Sequence, residues 1–363
     1  MRIALVHSTY WPEVRRGSER LIHDLAAELG GRGNEVTILT THEGPKSTTV
    51  ESGVTVVRSR RPPQLPERLR LEHFVANAPL TIARLRRGGF DVAQAFSLAD
   101  GWAALGARRI GGPPFVQTIH GIPTPTSLGA RRGRLRMLRS IGRRASAVSV
   151  LSEAAAAPLR EQTGIDPVIL PGAVRLADFA SSAPRSPVPL LFCPASPGDP
   201  RKRVQLLVDM LPELRKRVPD ARLVLTEGRD PMLSREAITF GEGVEVVDAD
   251  DTVRLATLYA EAWVTVLPSV EEAFGLVLVE SLAAGTPVVA ARSGASPEIV
   301  AGDAIGRLFA PDDRDDFVRA LESALELSSR PETADVCRTA AKAHDWSQVA
   351  DAYEAVYRRA AGA

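Results

Sequence analysis

Only two cysteines, Cys193 and Cys337, occur in 363 residues. Two thiols cannot build a disulfide framework, so a reducing cytoplasmic setting is expected, with stability drawn from burial. Lysine is nearly as scarce: Lys46, Lys202, Lys216 and Lys342 are the four among 45 basic residues. The plain reading of the arginine surplus is compositional bias. No run of eighteen apolar residues exists, so no spanning helix is expected. The apolar run near the start, Ile3 to Val6, is four residues long, too short for a secretory core. Aromatic residues are 5% of the chain and do not interleave with its basic runs, which argues against a nucleic-acid partner.

What is present is an ordinary globular composition, 44% hydrophobic and 25% charged, over a length that suggests two domains. The net charge of +1 hides a division. Residues 1–183 carry 25 basic and 15 acidic side chains, against 20 and 29 in residues 184–363. A basic half beside an acidic half points to an anionic partner on one side.

Short apolar runs alternate with helical patterns. Strands are expected at Ile3–Val6, Val36–Leu39, Val54–Val57, Asp91–Phe96, Phe115–Ile119, Ala147–Val150 and Val168–Leu170. The first amphipathic helix, Ser18–Leu29, puts Leu21, Ile22, Leu25, Ala26 and Leu29 on one face and ends at Gly30, Gly31 and Gly33. The stretch 180–189, with three prolines and three serines, reads as a linker. The pattern then restarts, with strands at Leu190–Cys193, Arg222–Thr226, Val244–Val247, Trp263–Leu267 and Pro287–Ala290. Helices are expected at Val204–Arg217, Gly275–Ala284 and Trp346–Ala361. The fold class is α/β, with two doubly wound Rossmann-like domains. Such sheets bind ligands at the carboxyl ends of their strands, where helix N-termini suit phosphate. A nucleotide or nucleotide-sugar ligand follows as the expectation.

The most informative segment is PSVEEAFGLVLVESLAAGTPVVA, residues 268–290. A strand ends at Pro268, an acidic loop leads to Phe274-Gly275, and a helix hands over at Gly285 to another strand. Glu272 stands just before that helix and can accept hydrogen bonds from sugar hydroxyls. Glu280 lies within it and can accept a ribose diol. The backbone N–H groups near Gly275 and Leu276 suit a diphosphate.

This segment is similar to the E-x7-E signature of the family-4 retaining glycosyltransferases, which have the GT-B fold. Glu272 and Glu280 match the two glutamates, and Ala273 stands where the family has glycine. Ser293–Val300, SGASPEIV, resembles the family's GGxPEIV loop. Residues 10–20, YWPEVRRGSER, resemble its N-terminal loop PPxxGGxER, with Gly17 at the second glycine and Arg16 in place of the first. Thr118–Gly121 matches T-x-H-G and brings His120 to a strand end. Leu170–Phe179 resembles IPNGVDxxxF, with Gly172-Ala173 in place of Asn-Gly. Residues 345–357 resemble the family's C-terminal W-x-x-x-helix. After Leu190–Cys193, Lys202 falls at the family lysine. The family arginine position, near Ser196, holds a small residue, and Arg201 and Arg203 are the candidate substitutes.

The resemblance implies domains at 1–183 (acceptor), 184–345 (donor) and 346–363 (a crossover helix), facing a central cleft. It implies sugar transfer from a nucleoside diphosphate sugar to a hydroxyl, with retention and through an oxocarbenium-like transition state. Lys202, Arg201, Arg203, Gly17, Gly275 and Leu276 would bind the diphosphate. Glu272, Ala273, Phe274 and His120 would hold the sugar, and Glu280 the ribose. Glu272, His120 and Lys202 form the expected catalytic set, with Arg16 and Asp100 on the acceptor side. No cofactor and no metal are expected, and Asp248-Ala-Asp250 reads as a surface loop. The competing reading is a non-catalytic, sugar-nucleotide-binding or membrane-docked scaffold on the same fold.

Seven arginines occupy the fourteen residues from Arg131 to Arg144, interleaved with Leu135, Met137, Leu138 and Ile141. Arg132, Arg136, Arg139 and Arg143 share a helical face. A solvated helix and an anionic membrane surface are both open readings. The expected location is cytoplasmic, with a peripheral position at the inner membrane face as the variant.

Overall fold

The computed structural model describes residues 1–14, 16–195, 197–227, 240–249 and 251–362. Ser196 and Asp250 therefore lie outside the described residues. The chain divides into two units, Met1–Gly172 with Val349–Ala363, and Ala173–Gln348. The division falls eleven residues before the boundary expected at 183/184. Local packing explains the shift. Phe179 is fully buried and meets the edge of the Tyr259 ring at 5.8 Å, so residues 173–179 belong with the second unit. The Pro/Ser-rich stretch continues there, with Ser186 accepting from the Trp263 indole at 2.8 Å.

The first unit holds an eight-stranded sheet. Its strands are β1 (Arg2–Val6), β2 (Glu35–His42), β3 (Ser47–Glu51), β4 (Val54–Arg60), β5 (Val92–Ala95), β6 (Phe115–Ile119), β7 (Ala147–Val150) and β8 (Val168–Ile169). The order is β3-β4-β2-β1-β5-β6-β7-β8. β3 pairs antiparallel with β4, and the neighbours that follow are parallel. β3 was not among the expected strands. Its residues STTVE are mostly exposed on an edge, so no hydrophobic alternation marks them.

The central strands are buried on both faces and read as continuous apolar runs. Their few polar side chains are paired across the sheet. Gln94 donates to Thr118 Oγ1 at 2.6 Å, Thr118 bonds Ser149 at 2.8 Å, and the buried Tyr357 hydroxyl donates to Gln94 Oε1. Tyr357 lies on the last helix, Trp346–Ala361, whose Tyr353 hydroxyl also donates to Pro171 O at 3.0 Å. The helix Gly17–Gly31 buries the five apolar residues expected of it.

The second unit holds a parallel six-stranded sheet of β9 (Leu190–Cys193), β10 (Arg222–Thr226), β11 (Val244–Val247), β12 (Val264–Leu267), β13 (Val288–Ala291) and β14 (Gly306–Phe309). Its order is β11-β10-β9-β12-β13-β14. β14, GRLF, is an addition to the expected set, too short and mixed to stand out. Tyr259 organises the core, with the Phe192 ring edge-on at 5.1 Å.

Both sheets are doubly wound, and each has one place where the strand order reverses. It lies between β1 and β5 in the first and between β9 and β12 in the second. At such a point the loops leaving the two strands diverge and open a crevice at their carboxyl ends.

Candidate functional site

In the second unit the reversal point is occupied by an ion pair. Lys202 follows β9, in the short turn Pro200–Lys202, and Glu272 follows β12. Lys202 Nζ donates to Glu272 Oε2 at 2.6 Å, with both side chains partly exposed. The two loops are also joined by backbone, Val270 N donating to Arg201 O at 2.9 Å.

A third loop braces Glu272. Glu271 is held at φ 55, and its N–H donates to Ser293 Oγ at 3.1 Å. Ala295 N donates to Glu272 O at 2.8 Å. Gly294 sits between them at φ +57, and a Cβ there would meet Glu272 O at 2.3 Å and Glu272 N at 2.6 Å. Backbone lies against backbone, so only glycine fits. The retained glycine of SGASPEIV thus sets the position of Glu272. Ala273, which replaces the usual glycine, is buried but keeps an ordinary backbone conformation, so its methyl is accommodated. Phe274 is buried and meets His344 edge-on at 5.7 Å.

The helix Leu276–Ala284 starts at Gly275, which is left-handed at φ 96. Its first N–H groups lie next to Glu272 in sequence and carry the positive end of the helix dipole. Glu280, 2% exposed, accepts from the Tyr259 hydroxyl at 2.6 Å. That bond fixes one carboxylate oxygen in place.

The other two expected cations are not gathered at Glu272. Arg201 pairs with Asp199 at 2.6 Å and is largely exposed. Arg203, left-handed at φ 52, turns to Pro311 O at 2.6 Å and to Asp312. Asp248 is exposed after the edge strand β11. Among the described residues no group of three or more His, Cys, Asp or Glu is arranged to hold a metal ion.

In the first unit the reversal point gathers a different cluster. Ser8, just after β1, donates to Asp100 Oδ1 at 2.7 Å, and Ser97, after β5, donates to Oδ2 at 2.6 Å. Burial raises the pKa of Asp100, against His7 and the two serines. Asp100 was expected to touch an acceptor. It is 2% exposed, with both oxygens engaged, and ties the two loops together instead.

Arg16 and Gly17 open the helix Gly17–Gly31. Arg16 Nη2 donates to Glu19 Oε1 at 2.7 Å and to Thr9 at 3.2 Å, while Thr9 and Ser18 also donate to Glu19. Glu19 is fully buried. Burial alone would raise its pKa, but the His7 charge and the Arg16 and Thr9 bonds outweigh it and hold it down at about 2. The arginine that replaces the family's first glycine is thereby folded onto the loop. Glu19, His7 and Ser8 were not singled out from the sequence. A glutamate three residues after an arginine at a helix start was the available signal for Glu19.

His120 follows β6, with Phe96 edge-on at 5.4 Å. Burial, and then the charge of His7, lower its pKa to about 3, against the pull of Glu19. The ring is therefore neutral at ordinary pH, and its Nε2 is buried without a hydrogen-bond partner.

Comparison with known proteins bears on the family and the fold. Residues 15–178 match the sequence model described as Glycosyltransferase Family 4, and residues 189–344 match Glycosyl transferases group 1. The phosphatidyl-myo-inositol mannosyltransferase of Mycolicibacterium smegmatis is 30% identical over 100% of this chain and 95% of its own length. The chain belongs to the family-4 glycosyltransferases. A D-inositol 3-phosphate glycosyltransferase of Nocardiopsis dassonvillei is 28% identical over 74% of this chain and 70% of its own. Among solved structures, sucrose-phosphate synthase from Thermosynechococcus elongatus has a TM-score of 0.82 at 22% identity, covering 99% of this chain and 98% of that one. Anabaena HepE in complex with UDP and glucose has a TM-score of 0.76 at 17% identity, covering 98% of each. These likenesses show that this glycosyltransferase has the GT-B fold.

Gly294→Ala is expected to displace the Glu272 loop while leaving both sheets intact. Glycosyltransferase turnover should fall by about 100-fold, as for a misplacement near 1 Å, with an unchanged circular dichroism spectrum. Wild-type turnover would contradict the bracing role.

Proposed function

We propose that this glycosyltransferase moves a hexosyl group from a nucleoside diphosphate sugar to an acceptor hydroxyl, with retention of anomeric configuration and no step assigned to a metal ion. The Lys202–Glu272 pair at the reversal point of the donor-side sheet carries the reading. A lysine already held beside a carboxylate is poised to exchange part of that partnership for an incoming diphosphate. Charge-assisted bonds of this kind contribute about 1.5–3 kcal/mol each.

The proposed reaction breaks the bond from the anomeric carbon to the phosphate oxygen and forms one from that carbon to the acceptor oxygen on the same face. The acceptor proton goes to the departing phosphate oxygen. The transition state is oxocarbenium-like. Lys202 and the N–H groups at Gly275 and Leu276 stabilise the leaving diphosphate as its charge grows. Glu272 accepts from sugar hydroxyls, flanked by Ala273 and Phe274, and Glu280, oriented by Tyr259, accepts from the ribose. Arg201 and Arg203 are secondary diphosphate contacts that would have to leave Asp199 and Asp312. In the first unit, neutral His120 offers its unpartnered Nε2 to a hydroxyl. Gly17 and Arg16 present a helix N-terminus and a guanidinium to an anionic group.

The intact Lys202–Glu272 pair supports catalysis over a scaffold that only binds the sugar nucleotide. The mannosyltransferase relatives make a mannosyl donor and an inositol-bearing acceptor the first pair to test. Lys202→Ala and Glu272→Ala should each lower nucleoside diphosphate release by about 100- to 1,000-fold, the scale of losing one preorganised stabilising group. Glu280→Ala should act mainly by raising the donor KM. Wild-type rates in the first two variants would overturn the placement of the site.

A second reading concerns an anionic membrane surface, and a particular arrangement favours it. Arg132, Arg136, Arg139, Arg143 and Arg144 are exposed on and beside the helix Arg134–Gly142, whose Leu138 and Ile141 are buried. Arg131 and Arg134 are instead paired with Glu67 and Glu72. The adjoining segment exposes Leu65, Leu69 and Leu71, and is tied on by Arg132 N donating to Arg70 O at 2.7 Å. Cations beside protruding leucines suit a peripheral dock at the inner membrane face, each cation adding about 1 kcal/mol near anionic lipid. Among the described residues no helix is long and apolar enough to cross a membrane. The protein should float with phosphatidylglycerol vesicles at low salt and be released at high salt. Failure to float at low salt would remove this reading.

A further inference from the structure

Backbone strain is concentrated at both ends of the Lys202–Glu272 pair. Among the described residues, the non-glycine positions with a positive φ are Ser52, Arg70, Phe74, Arg203 and Glu271. Two of these are chain neighbours of the pair: Arg203 follows Lys202 at φ 52, and Glu271 precedes Glu272 at φ 55. A side chain in the left-handed region crowds its own backbone. Such a residue persists only where its surroundings hold it there.

Arg203 is the joint between two helical pieces. The turn Pro200–Lys202 ends on it, and the helix Val204–Arg215 starts from it. Its N–H donates to Pro200 O at 3.2 Å, and its carbonyl accepts from Leu206 N at 3.0 Å. A right-handed residue here would run the turn on into the helix. The left-handed one breaks that path, so the direction in which Lys202 leaves the turn depends on the torsions at 203.

The Arg203 side chain supplies the hold. It is mostly buried and reaches the loop after β14, where Nη1 donates to Pro311 O at 2.6 Å. A guanidinium bond of this length is charge-assisted, and a main-chain carbonyl cannot swing away from it. Nη2 lies 3.3 Å from Asp312, which is almost fully exposed. That second contact is weak and could be surrendered to a diphosphate while the first is kept. The two halves of the pair are thus built alike. Glu271 is strained and bonded by Ser293 after β13, and Arg203 is strained and bonded to Pro311 after β14.

We infer that Arg203 is a positioning residue: its bond to Pro311 O holds residue 203 left-handed, and that conformation presents Lys202 to Glu272. Its effect on donor binding rests on the proposed contact between Lys202 and the diphosphate. The hold on Lys202 does not.

The test separates the side chain from the backbone it holds, in the full chain. Arg203→Gly and Arg203→Asn lose the bond to Pro311 but enter the left-handed region readily. Arg203→Ala and Arg203→Met lose the bond and keep the strain, and either serves if the other fails to fold. With four lysines in the chain, acetylation of Lys202 by an N-hydroxysuccinimide ester can be followed by mass spectrometry against Lys46, Lys216 and Lys342. An ammonium bonded to Glu272 must leave it before it can be acylated. Lys202 should react about tenfold faster in Arg203→Ala and Arg203→Met, the scale of one unsupported left-handed residue. It should react at the wild-type rate in Arg203→Gly and Arg203→Asn. GDP and UDP, titrated by calorimetry, should lose more affinity in the first two variants than in the second two. Arg203→Ala added to Lys202→Ala should cost no further affinity, a result that general loosening of the fold would not give.

Unchanged Lys202 acetylation in a folded Arg203→Ala or Arg203→Met protein overturns the inference. So do equal nucleotide losses in Arg203→Gly and Arg203→Ala, which would mark a diphosphate contact alone. Wild-type nucleotide affinity in Lys202→Ala overturns the donor reading and spares the hold on Lys202, which acetylation reports separately.

Discussion

The ion pair between Lys202 and Glu272 spans the place where the second sheet reverses its strand order, and the candidate donor site is arranged around it. Both partners are partly buried, with 23% and 17% of their side chains exposed, so the pair's attraction is offset in part by the cost of desolvating it. Its weight is positional. Glu272 is fixed from behind by Gly294, where no side chain fits, and Lys202 by a turn whose carbonyl at Arg201 is bonded to Val270. The loops after β9, β12 and β13 are thus locked into one arrangement, with a cation, a carboxylate and a helix N-terminus side by side. It is on this set that the proposed donor site rests.

The first unit uses the same topological feature differently. At its reversal point buried groups satisfy one another: Asp100 with Ser8 and Ser97, and Glu19 with Thr9, Ser18 and Arg16. Arg16 is folded back onto Thr9 and Glu19, and Tyr10, Trp11, Pro12 and Glu13 line a cavity. His120, kept neutral by burial, stays a hydrogen-bonding group at physiological pH and not a charge. The division of charge between the halves has a matching structural form. Of the seven arginines from Arg131 to Arg144, Arg131 and Arg134 pair with Glu67 and Glu72, and the other five are exposed.

Much of the fold was legible because the central strands are doubly buried and short, and the helices between them have clear apolar faces. The strands β3 and β14 escaped because an exposed edge and a four-residue strand carry no periodic signal. The two units divide ahead of the Pro/Ser stretch because Phe179 is already packed on Tyr259, which composition does not reveal. Lys202, Glu272 and Glu280 were singled out through the resemblance of their segments to the family's motifs, and Lys202 and Glu272 are brought together in the structure. What spacing could not show is which cations converge. Arg201 and Arg203 flank the lysine in sequence, yet pair with Asp199 and Asp312. Nor could it show that Asp100 faces inward, since that depends on two serines from different loops.

The central claim is that Lys202 and Glu272 work as one unit at the donor site. A double-mutant cycle on the kcat/KM for donor turnover tests it most directly. Groups that act together are strongly non-additive. The account predicts that Lys202→Ala combined with Glu272→Ala costs little more than the worse single change. Losses that multiply in full would mean two independent contacts and would contradict it.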